Sequence, residues 1–270
     1  MKNNNELLKS LKSTFSMAVI PVSLIVAILI YKYFLGNPAN FLGNDNHNQP
    51  LPGNYFGIIY KGGIIVPILI SLLLTVITYS IERFFTISKA AGKKSGVKFV
   101  RSIKVLLNDD KIDEAVALCD IQKGSVANVI NSALHKYKQL SNDNSLTKEQ
   151  KLLAIQKEIE EATSLELPAL EQNLVVLATI SSVATMMGLL GTVLGMITAF
   201  AALAQAGAPD SVALANGISE ALINTAFGIG TAALATIFYN VFTTRIDKLT
   251  HSIDEAGFSI VQSYAANHKD

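Results

Sequence analysis

Hydrophobic positions in this chain fall into long runs bounded by charge. Lys12 and Lys32 bracket 19 uncharged residues, Lys61 and Glu82 bracket 20, and Glu171 and Asp210 bracket 38. Asp210 and Arg245 bracket 34 more, interrupted only by Glu220. A helix crossing about 30 Å of hydrocarbon needs about 20 residues. The pattern therefore predicts an all-α integral membrane protein with four transmembrane helices, near 14–35, 62–82, 172–205 and 211–243. The last two runs exceed one bilayer, since 38 residues at about 1.5 Å each make about 57 Å. Those helices are expected to extend past the membrane on the side away from the short "QAGAPDS" turn at 205–211. Asp210 or Ser211 is placed to cap the last helix after Pro209.

Between the second and third runs, residues 83–171 read as a helical cytoplasmic domain. Asp109 or Asp110 is expected to cap a helix with an Ile112, Ala115, Val116 stripe. Val126, Val129, Ile130, Ala133, Leu134 and Tyr137 repeat at helical spacing. Thr147 and Gln150 fit a capping box for a helix with Leu152, Ile155, Ile159 and Ala162 on one face, able to run on into the third span. Pro168 predicts a kink in it. In the tail, Ile246, Leu249, Ile253, Ala256 and Ile260 form an apolar seam. That seam serves either packing on its own subunit or contact between subunits. The resulting domains are 1–61 (anchor and outer loop), 62–82, 83–171, 172–243 (a transmembrane hairpin) and 244–270 (an amphipathic tail).

Charge sets the orientation. Arg83, Lys89, Lys93, Lys94, Lys98, Arg101 and Lys104 follow the second span, whereas Lys61 is the only basic residue of the 36–61 loop. The positive-inside rule puts both termini and 83–171 in the cytoplasm. "KYFLGNPANF" after the first span offers no small-x-small cleavage site, so that span is expected to stay as an anchor. Half the residues are hydrophobic, 16 % are charged, and the net charge is +1. Nothing in that balance points to nucleic acid. The lone Cys119 excludes an intrachain disulfide. His47, His135, His251 and His268 lack metal-ligand spacing. "AAGKKSG" at 90–96 lacks the phosphate-loop pattern. No cofactor is implied, and no nucleophile–base pair suggests an enzyme.

Candidate chemistry lies in the last two runs. Glu220, Asn224, Gly228 and Thr231 share one helix face within about 80°, with Thr225 about 140° from Glu220. An acid at membrane depth costs about 2.5 to 3.5 kcal/mol, so a buried functional role is its default reading. The alternative is a structural glutamate bonded to a neighbouring subunit. Gly191 and Gly195 make a G-x-x-x-G, with Gly188 before them, a pattern that lets membrane helices approach closely. If the turn centres near 208, Thr192 and Thr225 both lie about 24 to 26 Å below it, and Glu220 about 18 Å.

"LPALEQNLVVLATIS" (167–181), "GLLGTVLGM" (188–196), "GISEALINTAFGI" (217–229) and Tyr239–Asn240 together resemble the MotA/TolQ/ExbB proton-channel family, most of all its ExbB/TolQ branch. The 28-residue spacing from Thr192 to Glu220 fits that pattern too. The resemblance implies an inner-membrane pentamer around two copies of an ExbD/TolR-like single-span partner carrying a membrane aspartate. Such a complex uses proton-motive force to drive a TonB- or TolA-type protein. It implies Thr192, Thr225 and Glu220 as the proton pathway, with Asn224, Thr231 and Thr185 as further pore-lining candidates. Gly188, Gly191, Gly195 and Gly228 are left as packing residues. The chain departs from the family in lacking the Ala-Pro before the glycine-threonine motif. Leu234 also stands where some members have proline. The extra first span matches the four-span MotA plan, which leaves a gliding- or flagellar-type stator as the alternative. A non-conducting membrane scaffold is the rival from another class.

Overall fold

The computed structural model describes residues 18–143, 145–204 and 210–268. Among these residues there is no strand, only an isolated bridge between Phe41 and Pro50. Among the described residues, four helices are long and apolar enough to cross a membrane, so the chain is an all-α membrane protein. The part of the first span before residue 18 and most of the 205–211 turn, Pro209 included, lie outside the described residues.

The helices are α1 (Ala18–Leu35), α2 (Tyr55–Tyr60), α3 (Ile65–Ala90), α4 (Gly96–Asn108), α5 (Ile112–Gln122), α6 (Ser125–Ser141), α7 (Lys148–Glu171), α8 (Leu174–Leu203) and α9 (Ser211–Asn267). They form two compact units, one of residues 1–81 and 175–239 and one of residues 82–174 and 240–270.

In the first unit, α1 packs through Ala27 and Leu35 on Val66 and Ile70 of α3, with Ile223 and Phe227 of α9 against the same cluster. The last six residues of α1 are a π-helix. The Asn40 amide then donates to the carbonyls of Phe34 (2.9 Å) and Leu35 (3.0 Å). Helix ends leave such carbonyls without an intrahelical partner. The 36–64 segment folds back over α1: the Tyr31 ring stacks on Tyr60 at 4.6 Å, and its hydroxyl donates to the Tyr60 carbonyl. Lys61 Nζ donates to the carbonyls of Asn46 and His47, and partial burial lowers its ammonium pKa. α3 starts at Ile65, after the turn at Gly62 and Gly63, and runs on to Ala90.

In the second unit, Val126, Val129, Ile130, Ala133, Leu134 and Tyr137 of α6 are all buried, as their spacing requires. Ile246, Leu249, Ile253, Ala256 and Ile260 of α9 are buried as well. The tail seam thus packs within its own chain. It is also no separate element, because α9 continues without a break from Ser211 to Asn267. The Thr147–Gln150 capping box is present, and Asp210 Oδ1 accepts from the Val212 and Ala213 amides to cap α9.

Two local expectations are corrected. Neither Asp109 nor Asp110 caps α5; Lys111 holds that position with no side-chain cap, and Asp110 sits at φ +56° as the chain reverses. Pro168 lies inside α7, and the helix ends beyond it, at Gln172. The turn is made by Asn173 at φ +66°, the left-handed conformation that asparagine tolerates. α7 therefore does not run on into the third span. Arg83, the first of the basic residues that follow the second span, is only 1 % exposed. Its guanidinium is paired with Glu82 at 2.5 Å and donates to the carbonyls of Ala169 and Leu170, both at 3.2 Å. It thereby satisfies orphan carbonyls at the end of α7.

The lysine-rich 90–96 stretch is tied down internally. Gln122 Oε1 accepts from the Lys94 amide, Gln122 Nε2 donates to the carbonyls of Ala91 and Lys94, and the Lys93 amide donates to the Gln122 carbonyl. Those amides are engaged and do not face an anion.

Candidate functional site

The α8–α9 pair is antiparallel and interlocked by small residues. A β-carbon on Gly195 would stand 2.6 Å from the Ala221 amide nitrogen and the Gly217 carbonyl oxygen. One on Gly217 would stand 2.6 Å from the Ala199 nitrogen. Gly188 and Gly228 oppose each other in the same way: a β-carbon on Gly228 would lie 2.7 Å from Gly188 Cα. Gly191 leaves the space that the Asn224 side chain fills. Lipid gives no hydrophobic drive for helix association, so close backbone approach and its dispersion contacts hold such pairs together. Gly217 belongs to this interlock although no glycine motif marks it. Its signal is the seven-residue step from Gly217 to Asn224 and the eleven to Gly228, which repeats the close-approach face.

This approach brings Thr192 and Thr225 together, and their hydroxyls are in direct contact. Each hydroxyl also lies within bonding distance of a carbonyl one turn back, Gly188 at 3.2 Å for Thr192 and Ala221 at 3.0 Å for Thr225. A threonine has one proton and two lone pairs. Either residue can donate to its own helix while accepting from the other, so two donor orders exist. They interconvert by hydroxyl rotation alone. Both side chains are half-buried. Thr185 is half-buried also, and donates to the Ser181 carbonyl at 3.2 Å.

Glu220 stands apart from the threonine pair. Its carboxylate lies over Gly63, where a β-carbon would collide with Oε1, and Gly63 sits at φ +74°. One turn below, Asn224 Nδ2 donates to the Gly62 carbonyl at 2.8 Å. One turn above, Gln49 Nε2 donates to Asn216 Oδ1 at 3.0 Å. Asn216, Glu220 and Asn224 therefore form one face of α9, turned to the 36–64 segment and the start of α3. Asn224 is 0 % and Thr231 2 % exposed, so both are enclosed by this chain. The contact of Glu220 with Gly63 joins residues far apart in sequence, and no local pattern announces it.

Residues 122–255 match the model of the MotA/TolQ/ExbB proton channel family. The chain is 37 % identical over 86 residues to the biopolymer transport protein ExbB of Pseudomonas putida, which covers 32 % of this chain and 26 % of that protein. It is 42 % identical over 88 residues to the Tol-Pal system protein TolQ of Pseudomonas aeruginosa, 33 % of this chain and 38 % of that one. A Helicobacter pylori protein described as a putative biopolymer transport protein ExbB-like 2 is 35 % identical over 99 residues, 34 % of this chain and 66 % of that one. The aligned stretch spans 26 to 41 % of the first relatives' own lengths. Through the stretch that carries the glycine interlock and the threonine contact, this chain belongs to the MotA/TolQ/ExbB proton channel family.

Proposed function

We propose that this chain is the membrane stator subunit of a proton-driven motor complex of the ExbB/TolQ kind. The observation that carries the reading is the hydroxyl contact between Thr192 and Thr225, on two apolar helices held together by glycine. A charge crossing 100 mV releases about 2.3 kcal/mol, so a few protons suffice for a large rearrangement. In this reading the chain sits in the inner membrane with both termini in the cytoplasm. It forms a homo-oligomer, a pentamer by family resemblance, around an ExbD/TolR-like single-span protein. That partner's membrane aspartate accepts protons passed along the threonine hydroxyls, and the complex works on a TonB/TolA-type protein. Glu220, lodged against Gly63 on the outer side, tunes proton entry. Asn224 and Thr231, enclosed within the chain, hold α9 in place, and Thr185 extends the polar wall. The chain catalyses no covalent chemistry.

A second reading, a non-conducting scaffold, draws support from the glycine interlock, which by itself serves only packing. Purification of the complex from native membranes through a tag on this chain separates the two. The stator reading expects a co-purifying small protein with one membrane helix bearing Asp. It also expects the Glu220→Gln complex to assemble while its proton flux in liposomes falls. A scaffold yields no such companion, and Glu220→Gln leaves its function at wild-type level.

A further inference from the structure

The hydroxyl contact at Thr192–Thr225 has a counterpart. Ser181 Oγ and Thr236 Oγ1 lie 2.6 Å apart. The steps 181 to 192 on α8 and 225 to 236 on α9 are both 11 residues. In an antiparallel pair, equal steps keep the same cross-helix register. Eleven residues make about three turns, so the second pair lies about 16 Å along the axes from the first, rotated by only about 20°. Both pairs therefore open on the same side of the hairpin. Along that line α8 presents Ser181, Thr185, Gly188 and Thr192. The neighbouring faces of α8 carry exposed Met186, Leu189, Leu190 and Val193. Thr236 Oγ1 lies 2.9 Å from the Ala232 carbonyl, its own acceptor one turn back. Either hydroxyl of this pair can donate to the other, and Thr185 donates to the Ser181 carbonyl.

Resting on the stator reading, we infer that Ser181 and Thr236 form a second hydroxyl station on the proton path, three turns from the threonine pair toward the α8 N-terminus. Protons passing the Thr192–Thr225 contact reach it along the Thr185 side of α8.

The test uses the tagged complex purified from native membranes and reconstituted in liposomes loaded with a pH-sensitive dye, under an imposed potential. Ser181→Ala with Thr236→Val is expected to lower proton flux at least tenfold with the complex intact. The conservative exchange, Ser181→Thr with Thr236→Ser, is expected to keep it within about twofold. Wild-type flux in the Ala/Val variant, with flux lost in Thr192→Val/Thr225→Val, overturns this inference and leaves the stator reading standing. Wild-type flux in both variants overturns both. If the Ala/Val variant does not assemble, single Thr236→Val and Thr236→Ser replacements decide. A tenfold gap between them supports the station, and equal fluxes reject it.

Discussion

The two units of this chain are each packed internally, and by opposite means. In residues 82–174 and 240–270 the core is built of large side chains: Phe99, Ile103, Leu107, Ile130, Leu134, Tyr137 and Tyr264 are all buried, and the last two rings meet edge to face at 4.7 Å. In the α8–α9 pair the contact is built of what is missing. Glycines 188, 195, 217 and 228 bring backbones together, while Met186, Leu189, Ile197 and Phe200 of α8 are exposed. Water favours burying bulk; lipid does not distinguish a buried leucine from an exposed one, and close approach decides. The same closeness lets two short hydroxyl side chains touch across the pair. Glycine packing and hydroxyl chemistry are thus one design.

That contrast can be broken from either side. The largest effect is expected at Arg83, whose removal strands Glu82 and the α7 carbonyls in a buried site. Arg83→Ala should cost about 3 to 5 kcal/mol, read as a large fall in thermal stability of the detergent-purified chain. An unchanged melting temperature would show the pair to be dispensable. Next, Ile260→Ala should cost about 2 to 5 kcal/mol through a cavity in the large-residue core. By contrast Ala199→Gly, the same direction of change in the hairpin, should cost no more than about 1 kcal/mol. The reverse change inverts the ranking: Gly195→Val should destabilise the hairpin by about 1 to 3 kcal/mol through overpacking, detectable as accelerated proteolysis between α8 and α9. Equal sensitivity of both regions to large-to-small changes would dissolve the comparison. The smallest effect concerns Cys119, whose thiol is pushed up to about 12, first by burial and then by nearby Asp120. A raised pKa keeps it protonated and unreactive. Thiol-reagent labelling of the folded chain should therefore stay negligible from about pH 6 to 9 and appear only on unfolding.

The fold's long features were legible because charge is intolerable in lipid. The four runs between charges located the spanning helices, and the period of Val126 to Tyr137 located a core face. The depth match of Thr192 and Thr225 about an assumed turn found the pair that meets. What escaped was decided by tertiary contact. Arg83 has the composition of a surface charge and is buried because α7 ends beside it. The α7–α8 break rests on one left-handed Asn173 and carries no proline or glycine signal. The seam in the tail had two open uses until its residues proved buried within the chain's own second unit. Glu220 was legible as anomalous, but its partner, Gly63, lies in a distant turn. Ser181 and Thr236 were passed over because a lone hydroxyl in a membrane helix usually bonds its own backbone. Only their equal eleven-residue offsets from the first pair mark them.

The most direct test compares two exchanges at the Thr192–Thr225 contact in the purified, reconstituted complex. Serine keeps the hydroxyl, and valine keeps the shape without it. If hydroxyls carry the proton, Thr192→Ser/Thr225→Ser retains most of the potential-driven proton flux and Thr192→Val/Thr225→Val, equally well assembled, loses it. Valine and serine complexes that conduct alike would contradict the hydroxyl path and leave the contact as packing.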